Sequence, residues 1–396
     1  MVIDSIKSIV KYKQNLYCFC LVTETLHTQI CDLLNIKYPI IQAGMAGGHT
    51  TPELVAAVSN AGGLGILAAS RLTPEQLKEA INKIKSLTNR PFGVNLLLAL
   101  PEPGNHDVAS VQRFLDCFRQ ELNIPLSSTN VNDIQLPPSP IFDHLRIILE
   151  EEKVPVLSIG LGDPTKLVEQ AHTSSAKVMA MVTTVEEAVS VVKGGVDIVV
   201  AQGSESGGHR STFQFNMNGK EEVPMLGTLA LVPQVVDAIS SSSSSSIPVV
   251  AAGGIMDGRG LVASLALGAA GVVLGTRFMV ARESGTFQAY QQRMFAAKET
   301  DTVITRSFTG RPARTIRNRF IEEYHKSNSK PLAWPLQSLA ADDIYKAAQA
   351  SGKVEYYPLL AGQGLRLLKR DQSAAEIIRE IVQDANKIIS RLKDII

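Results

Sequence analysis

The chain of 396 residues is 45% hydrophobic and 19% charged, a globular composition that excludes a largely disordered protein. Its 39 basic and 38 acidic residues leave a formal net charge of +1, so no broad field attracts nucleic acid or an anionic membrane. Aromatic residues make up only 5%, fewer than a base-stacking surface usually needs. No apolar stretch reaches the roughly 18 residues that a membrane-spanning helix requires.

The four cysteines show no spacing that would indicate a disulfide framework or a zinc site. We therefore expect reduced thiols and a cytoplasmic protein. Residues 1–28 are interpreted as a loosely attached N-terminal extension. Because Lys7, Lys11 and Lys13 precede a short apolar run there, a targeting segment for mitochondrial import is kept as an alternative.

Eight short apolar runs recur along the chain and alternate with helical patterns. The runs are residues 39–43, 64–67, 91–96, 154–159, 177–181, 197–201, 247–252 and 271–275. They lack strict polar alternation, which is typical of strands buried on both faces. Together with the intervening helices they predict an α/β fold, a (β/α)8 TIM barrel. A doubly wound open sheet is the alternative, since periodicity cannot show whether a sheet closes.

Helix starts are marked by capping residues. Thr51 and Thr73 each precede a proline and an acid, the pattern of an N-cap followed by the first helical turn. Asp163, Thr184 and Asp257 mark weaker starts.

Two stretches interrupt the strand–helix rhythm. Residues 101–152 predict a helical excursion between the third and fourth strands. Residues 287–358 predict an inserted, mainly helical subdomain near the C-terminus that covers the barrel mouth. The barrel itself is assigned to residues 29–286. An apolar stripe within residues 359–396 predicts the helix that completes it.

Glycine-rich loops follow several predicted strands, and the active sites of barrels are built from these loops. Gly253 and Gly254 follow the seventh strand, and Gly275 and Thr276 follow the eighth. Their backbone N–H groups are suited to phosphate oxygens, because no side chain stands in the way. No Walker lysine and no strand-linked GxGxxG appears. A phosphate-bearing cofactor other than ATP is expected, with turn formation alone as the alternative.

His209 is the strongest catalytic candidate. It follows two glycines after the sixth strand, in a polar loop with Gln202 and Glu205. Histidine can act as base, acid or anion partner near neutral pH. His49, in the first loop, is a weaker candidate, and Glu205 is interpreted as a salt-bridge residue. No metal-ligand spacing and no GxSxG nucleophile motif is present.

Six segments, taken together and in order, resemble the nitronate monooxygenases, formerly called 2-nitropropane dioxygenases. The segments are YPIIQAGMAG (residues 38–47), TPELVAAVSNAGGLG (51–65), FGVNL (92–96), QGSESGGH (202–209), AGGIMDGRG (252–260) and LGTRF (274–278). The resemblance extends roughly from Leu26 to Ala385. A single glycine pair would not be specific for this family. The GGH segment is specific when it occurs together with the other five segments.

The resemblance implies an FMN-dependent oxidation of alkyl nitronates, such as propionate 3-nitronate, by O₂ to a carbonyl compound and nitrite. It implies small-molecule partners only, a monomer or homodimer, no metal, and His209 as the catalytic histidine. The implied flavin contacts are Gly44 and Met45 flanking the ring, Asn95 and Gln202 hydrogen-bonded to it, Gly207 beside it, and Gly254, Leu274, Gly275 and Thr276 at the phosphate end. His209 would either attract the nitronate as an imidazolium or, when neutral, remove the α-proton of a nitroalkane.

Some positions depart from the family's pattern. Ser206 stands where alanine is common, Ser211 where glycine is usual, and His49 where a small or apolar residue is more frequent. These departures concern loop shape and substrate range. Trp334 is interpreted as packing between neighbouring prolines, with lining of the lid as the alternative.

Two other functions stay open at this point. One is an FMN-dependent enoyl-acyl-carrier-protein reductase that uses NAD(P)H and docks an acidic carrier. The basic cluster that could serve such docking consists of Arg311, Arg314, Arg317 and Arg319. The other is a non-catalytic flavin-binding protein, against which the presence of His209 argues.

Overall fold

The structure is a computed structural model that describes residues 26–99, 107–127, 140–213, 223–242, 247–327 and 329–395. The lysine-bearing start of the chain, with its alternative of a targeting segment, lies outside these residues.

Eight parallel strands of the described chain hydrogen-bond side by side into a closed barrel, which confirms the predicted TIM barrel and excludes the open sheet. In order around the barrel they are β1 (Ile40–Gln42), β2 (Leu64–Ala68), β3 (Phe92–Leu97), β4 (Val156–Gly160), β5 (Lys177–Val182), β6 (Ile198–Gln202), β8 (Val249–Ala252) and β9 (Gly271–Leu274). The number β7 belongs to Gly208–His209, a short strand outside the barrel. The barrel closes where β1 pairs with β9, with Ile40 opposite Val272.

Burial on both faces explains why the strands carry no polar alternation. Every residue of β1, β4, β6, β8 and β9 is buried. One face of each strand fills the barrel interior and the other packs against the outer helices. At Gly65 in β2, an added Cβ would lie 2.2 Å from the carbonyl oxygen of Val55, so only glycine allows this close approach of helix and strand.

The helices confirm the expected strand–helix alternation. In chain order they are α1 (Gln29–Leu34), α2 (Pro52–Asn60), α3 (Pro74–Leu87), α4 (Val108–Leu122), α5 (Ile141–Leu145), α6 (Thr165–Thr173), α7 (Val185–Lys193), α8 (Thr228–Ser242), α9 (Gly258–Ala266), α10 (Gln288–Ala296), α11 (Arg319–Lys326), α12 (Leu336–Ala340), α13 (Asp342–Ser351) and α14 (Ala374–Lys393). Within the described residues, none of them combines the length and apolarity needed to cross a bilayer.

The predicted capping residues stand where these helices begin. The hydroxyl oxygens of Thr51, Thr73 and Thr184 each accept from a backbone N–H in the first turn of α2, α3 and α7. Thr73 belongs to a full capping box. Asp257 caps α9 in the same way. Asp163 lies two residues before α6 and accepts from a backbone N–H at its start.

A second hydrophobic core lies beside the barrel and is built from two parts of the chain. The stretch after β9 contributes α10 to α13, and it also contains a hairpin of β10 (Thr302–Thr305) and β11 (Ala313–Ile316) that the sequence analysis did not predict. Helix α4, from the excursion between β3 and β4, packs into the same core. The ring of Phe118 in α4 stacks on that of Phe320 in α11, with centroids 4.7 Å apart.

Helix α14 packs between α2 and α9 on the outside of the barrel. Its buried stripe includes Ile377, Ile378 and Ile381. The fit to α9 is tight, because a Cβ added at Gly258 would lie 2.3 Å from the backbone nitrogen of Ala385. The apolar stripe read from the sequence is therefore the face that covers the barrel.

Replacing Ile381 by alanine should lower the free energy of unfolding by about 2–5 kcal/mol, because the side chain is fully buried and its removal leaves a cavity. Leu392→Ala in the same helix is the matched control, since that side chain is 40% exposed. It should cost less than about 1 kcal/mol. Denaturant unfolding measures both, and equal losses would contradict the packing of this stripe.

Candidate active site

A cavity of about 370 Å³ opens at the C-terminal ends of the barrel strands, the face where TIM barrels place their active sites. The ends of all eight strands, or the loops that follow them, contribute to its wall. The structure brings every residue singled out for catalysis or cofactor binding to this wall: Gly44, Met45, Asn95, Gln202, Gly207, His209, Gly254, Leu274, Gly275 and Thr276.

A small sheet outside the barrel fixes the backbone of His209. Strand β7 pairs with β11, with His209 opposite Ala313, so the hairpin of the second core holds the histidine. Nε2 of His209 lies 3.0 Å from Oγ1 of Thr309. The edge of the imidazole meets the indole of Trp334, with ring centroids 5.3 Å apart. Trp334 therefore lines the cavity beside His209, which corresponds to the lid-lining interpretation.

Both histidines of the cavity are held in their neutral form. Burial, with smaller contributions from the guanidinium groups of Arg311 and Arg71, lowers the pKa of His209 to about 3. Burial, helped by Arg71, lowers the pKa of His49 to about 4. Nδ1 of His49 lies 3.0 Å from Oγ1 of Thr286. A neutral imidazole is a proton acceptor, and it offers no net charge to an anion.

The side chain of Gln202 connects the end of β6 to the segment that follows His209. Its Oε1 accepts from Nη1 of Arg210 at 3.1 Å and from the backbone N–H of Ser211 at 2.9 Å. Its Nε2 donates to the carbonyl oxygen of His209 at 3.1 Å. Gln202 therefore orients the histidine loop, a role that the sequence analysis did not assign to it. Arg210 is almost fully buried in this arrangement.

The serine that departs from the family's pattern at position 211 has a structural role. Its hydroxyl accepts from the backbone N–H of Leu161 at 2.9 Å, which lies just after β4. Ser211 thus ties the histidine segment to the barrel at a second point. This contact requires a side chain, and glycine would not supply it.

Asn95 lies within β3, and its amide is already oriented. Nδ2 donates to the carbonyl oxygen and to Oγ of Ser158 at 3.1 and 3.2 Å. Within the described residues, Oδ1 receives no hydrogen bond and is left available on the cavity wall. A Cβ at Gly44 would lie 2.7 Å from Cβ of Asn95, so only bare backbone fits beside it.

The loops after β8 and β9 present backbone donors to the cavity. Gly253 and Gly254 adopt positive φ angles of 117° and 69°, which favour glycine. The backbone N–H groups of Gly254, Gly275 and Thr276 donate to no acceptor in the part of the chain that the structure describes. A group rich in acceptor oxygens would satisfy them.

Glu205 faces a helix end and forms no salt bridge among the described residues, contrary to its interpretation from the sequence. Both carboxylate oxygens accept from the backbone N–H of Thr228, at 3.0 and 2.9 Å, and one also accepts from its hydroxyl. Thr228 is the first residue of α8, where a negative charge is favourable. Glu205 is therefore a helix-capping group on the cavity wall.

Sequence reasoning missed Thr309, Arg210 and Arg71. Thr309 lies 100 residues after His209 in the chain, in the part that forms the second core. No local pattern therefore indicates that the two side chains meet. Arg71 lies in the turn after β2 and lines the cavity. In the described part of the chain, no group of three or more histidine, cysteine or acidic side chains is arranged to hold a metal ion.

A closed barrel with a histidine on the wall of a cavity at its C-terminal face is the architecture of a TIM-barrel enzyme. The sequence profile described as nitronate monooxygenase matches residues 27–384. A probable nitronate monooxygenase of Staphylococcus saprophyticus subsp. saprophyticus is 41% identical over 372 residues, covering 92% of this chain and 99% of that protein.

Solved structures agree with this result. The nitroalkane oxidase from Streptomyces ansochromogenes superposes with a TM-score of 0.80 at 34% identity, over 92% of this chain and 99% of that one. FabK from Thermotoga maritima superposes with a TM-score of 0.73 at 32% identity, over 94% and 100% of the two chains. The chain belongs to the nitronate monooxygenase family and is an oxidoreductase enzyme.

The neutral histidines predict a loss of stability in mild acid. Below pH 6.5 the unfolded chain protonates both rings, whereas the folded protein keeps them neutral down to about pH 4. Stability therefore falls as the pH drops through this window, by about 2 kcal/mol per ring at pH 5. Denaturant unfolding at pH 7 and pH 5 should show a smaller difference for H49Q/H209Q than for the wild type. Replacement of the exposed His325 is the control, and equal differences for all three proteins would contradict the prediction.

Proposed function

We propose that this protein binds FMN and oxidises alkyl nitronates with O₂ to a carbonyl compound and nitrite. The observation that carries the proposal is the convergence of unpaired backbone donors, an oriented amide and a neutral histidine on one cavity. Family membership supports the reaction class.

The residues present fit FMN. The N–H groups of Gly254, Gly275 and Thr276 would hold its phosphate, as expected for loops after the seventh and eighth strands of a barrel. Oδ1 of Asn95 would accept a hydrogen bond from the flavin ring, and Gly44 leaves bare backbone beside it. Met45, Gln202, Gly207 and Leu274 would complete the contacts. When bound, FMN supplies the electron transfer from the substrate to O₂.

His209 would serve as the proton acceptor for a neutral nitroalkane. The hydroxyl of Thr309 donates to the carbonyl oxygen of Arg311 at 3.2 Å, so Nε2 of His209 is the donor in its contact with Thr309. This pattern places the proton on Nε2 and leaves the lone pair on Nδ1. Within the described residues Nδ1 has no partner and is available for the α-proton. The low pKa of His209 argues against an imidazolium that attracts the nitronate at neutral pH.

The enoyl-acyl-carrier-protein reductase is the second candidate, since the chain is also similar to FabK. Of the four arginines considered for docking a carrier, Arg317 and Arg319 are exposed and the other two are not. Arg311 and Arg314 are buried and donate to the backbone carbonyls of Thr212 and Ser204. Arg319 pairs with Glu121. This arrangement weighs against carrier docking at that surface.

Mixing the purified protein anaerobically with ethyl nitronate should bleach the flavin spectrum, and admission of air should release nitrite. NADPH should not reduce the flavin at a comparable rate. H209N should retain FMN, because His209 is not among its expected contacts, but lose turnover with neutral nitroethane. Fast reduction by NADPH without any reaction with nitronate would overturn the proposal. Unchanged turnover of H209N would remove His209 from the mechanism.

Gly275→Val should fold but lose FMN. A Cβ at Gly275 meets only Sδ of Met45 and Cβ of Ala43, at 3.7 and 3.8 Å, so the chain itself accommodates it. The added isopropyl group would stand on the cavity wall where the phosphate is expected. Flavin content after purification measures the effect, and the unfolding midpoint of the FMN-free proteins is the control. Wild-type flavin content in a folded variant would place the phosphate elsewhere.

A further inference from the structure

Arg71 supplies the positive charge of the cavity. Among the described residues that line the cavity, it is the one lysine or arginine. The carboxylate of Glu205 is directed at α8, and His49 and His209 are neutral at pH 7. An anionic substrate would therefore find its counter-charge at Arg71.

The turn that carries Arg71 is held in place on both sides. The backbone N–H of Leu72 donates to the carbonyl oxygen of Ala69 at 2.9 Å. Oγ of Ser70 accepts from the backbone N–H of Leu97 in β3 at 3.0 Å. Nε2 of His144 lies 3.0 Å from the carbonyl oxygen of Leu72. The backbone of Arg71 is thus fixed by β3 and α5, and its long side chain is presented to the cavity.

The guanidinium itself has no partner among the described residues. Arg71 is exposed, and no acidic side chain in the described ranges forms an ion pair with it. Its charge nevertheless acts across the cavity, because it helps to lower the pKa of His209 and of His49. It also opposes the burial that raises the pKa of Tyr357. Arg119, by contrast, is bound within the fold by its ion pair with Asp343. An unpaired arginine at the mouth of a cavity is available for a ligand.

We propose that Arg71 is a specificity-determining residue that binds a carboxylate at the outer end of the substrate. This inference rests on the proposed function. The group that reacts must lie beside the half-buried His209, whereas Arg71 is exposed at the rim, so the two contact different ends of one molecule. The guanidinium offers a planar fork of donors that matches a carboxylate. Arg71 would therefore select a nitronate that carries a carboxylate over one that does not.

The test compares propionate 3-nitronate, which carries a carboxylate, with ethyl nitronate, which does not. In R71Q, the ratio of kcat/KM for propionate 3-nitronate to that for ethyl nitronate should fall about tenfold or more. R71K should restore part of the ratio, since it retains the charge without the fork. R90Q is the matched control, because Arg90 is an exposed arginine in the loop between α3 and β3, at the other end of the barrel. A ratio in R71Q equal to that of the wild type overturns the inference.

A binding measurement separates this inference from the proposed function. Succinate has a carboxylate in place of the NO₂ group of propionate 3-nitronate and cannot be oxidised in the same way. Its dissociation constant, followed by the absorbance of bound FMN or by the unfolding midpoint, should rise about tenfold in R71Q. If wild-type protein oxidises neither nitronate, the proposed function fails and this measurement decides the role of Arg71. An unchanged dissociation constant in R71Q overturns it.

Discussion

The pairing of β1 with β9 closes the barrel, and every feature of the site depends on this closure. Closure brings the C-terminal ends of eight parallel strands to one face, so loops far apart in the chain share one cavity. Gly44 follows the first barrel strand and Gly275 the last, yet both lie on its wall. An open sheet with the same strands would leave these loops at opposite edges.

Burial determines the charge of this cavity. Thr309 and Trp334, which follow the barrel in the chain, contact the ring of His209, and burial keeps the imidazole neutral despite its polar loop. Since neither cavity histidine is charged at neutral pH, the roles of His209 and Arg71 follow from where each residue lies in the cavity. The half-buried His209 would accept a proton, and the exposed Arg71 would bind an anion. Gln202 and Ser211 hold the histidine segment to the barrel.

Much of the fold followed from local patterns. Strands buried on both faces appear as continuous apolar runs, and Thr51 and Thr73 mark helix starts through contacts within one turn. The site residues were predicted because glycine-rich loops follow the strands and because the segments resemble a known family. The short hairpin of β10 and β11 was missed, since four-residue strands give too little pattern.

The sequence by itself determined the strand–helix alternation, the helix caps, the positions of the loop glycines and the candidate histidine. These depend on neighbours within a few residues or on the order of motifs. Tertiary structure alone decided that the sheet closes, that Thr309 meets His209, and that the imidazole is neutral. It also decided that Arg71 stands unpaired on the cavity wall among the described residues. Contacts across the chain and exclusion of water arise only when distant segments pack together, which no local pattern contains.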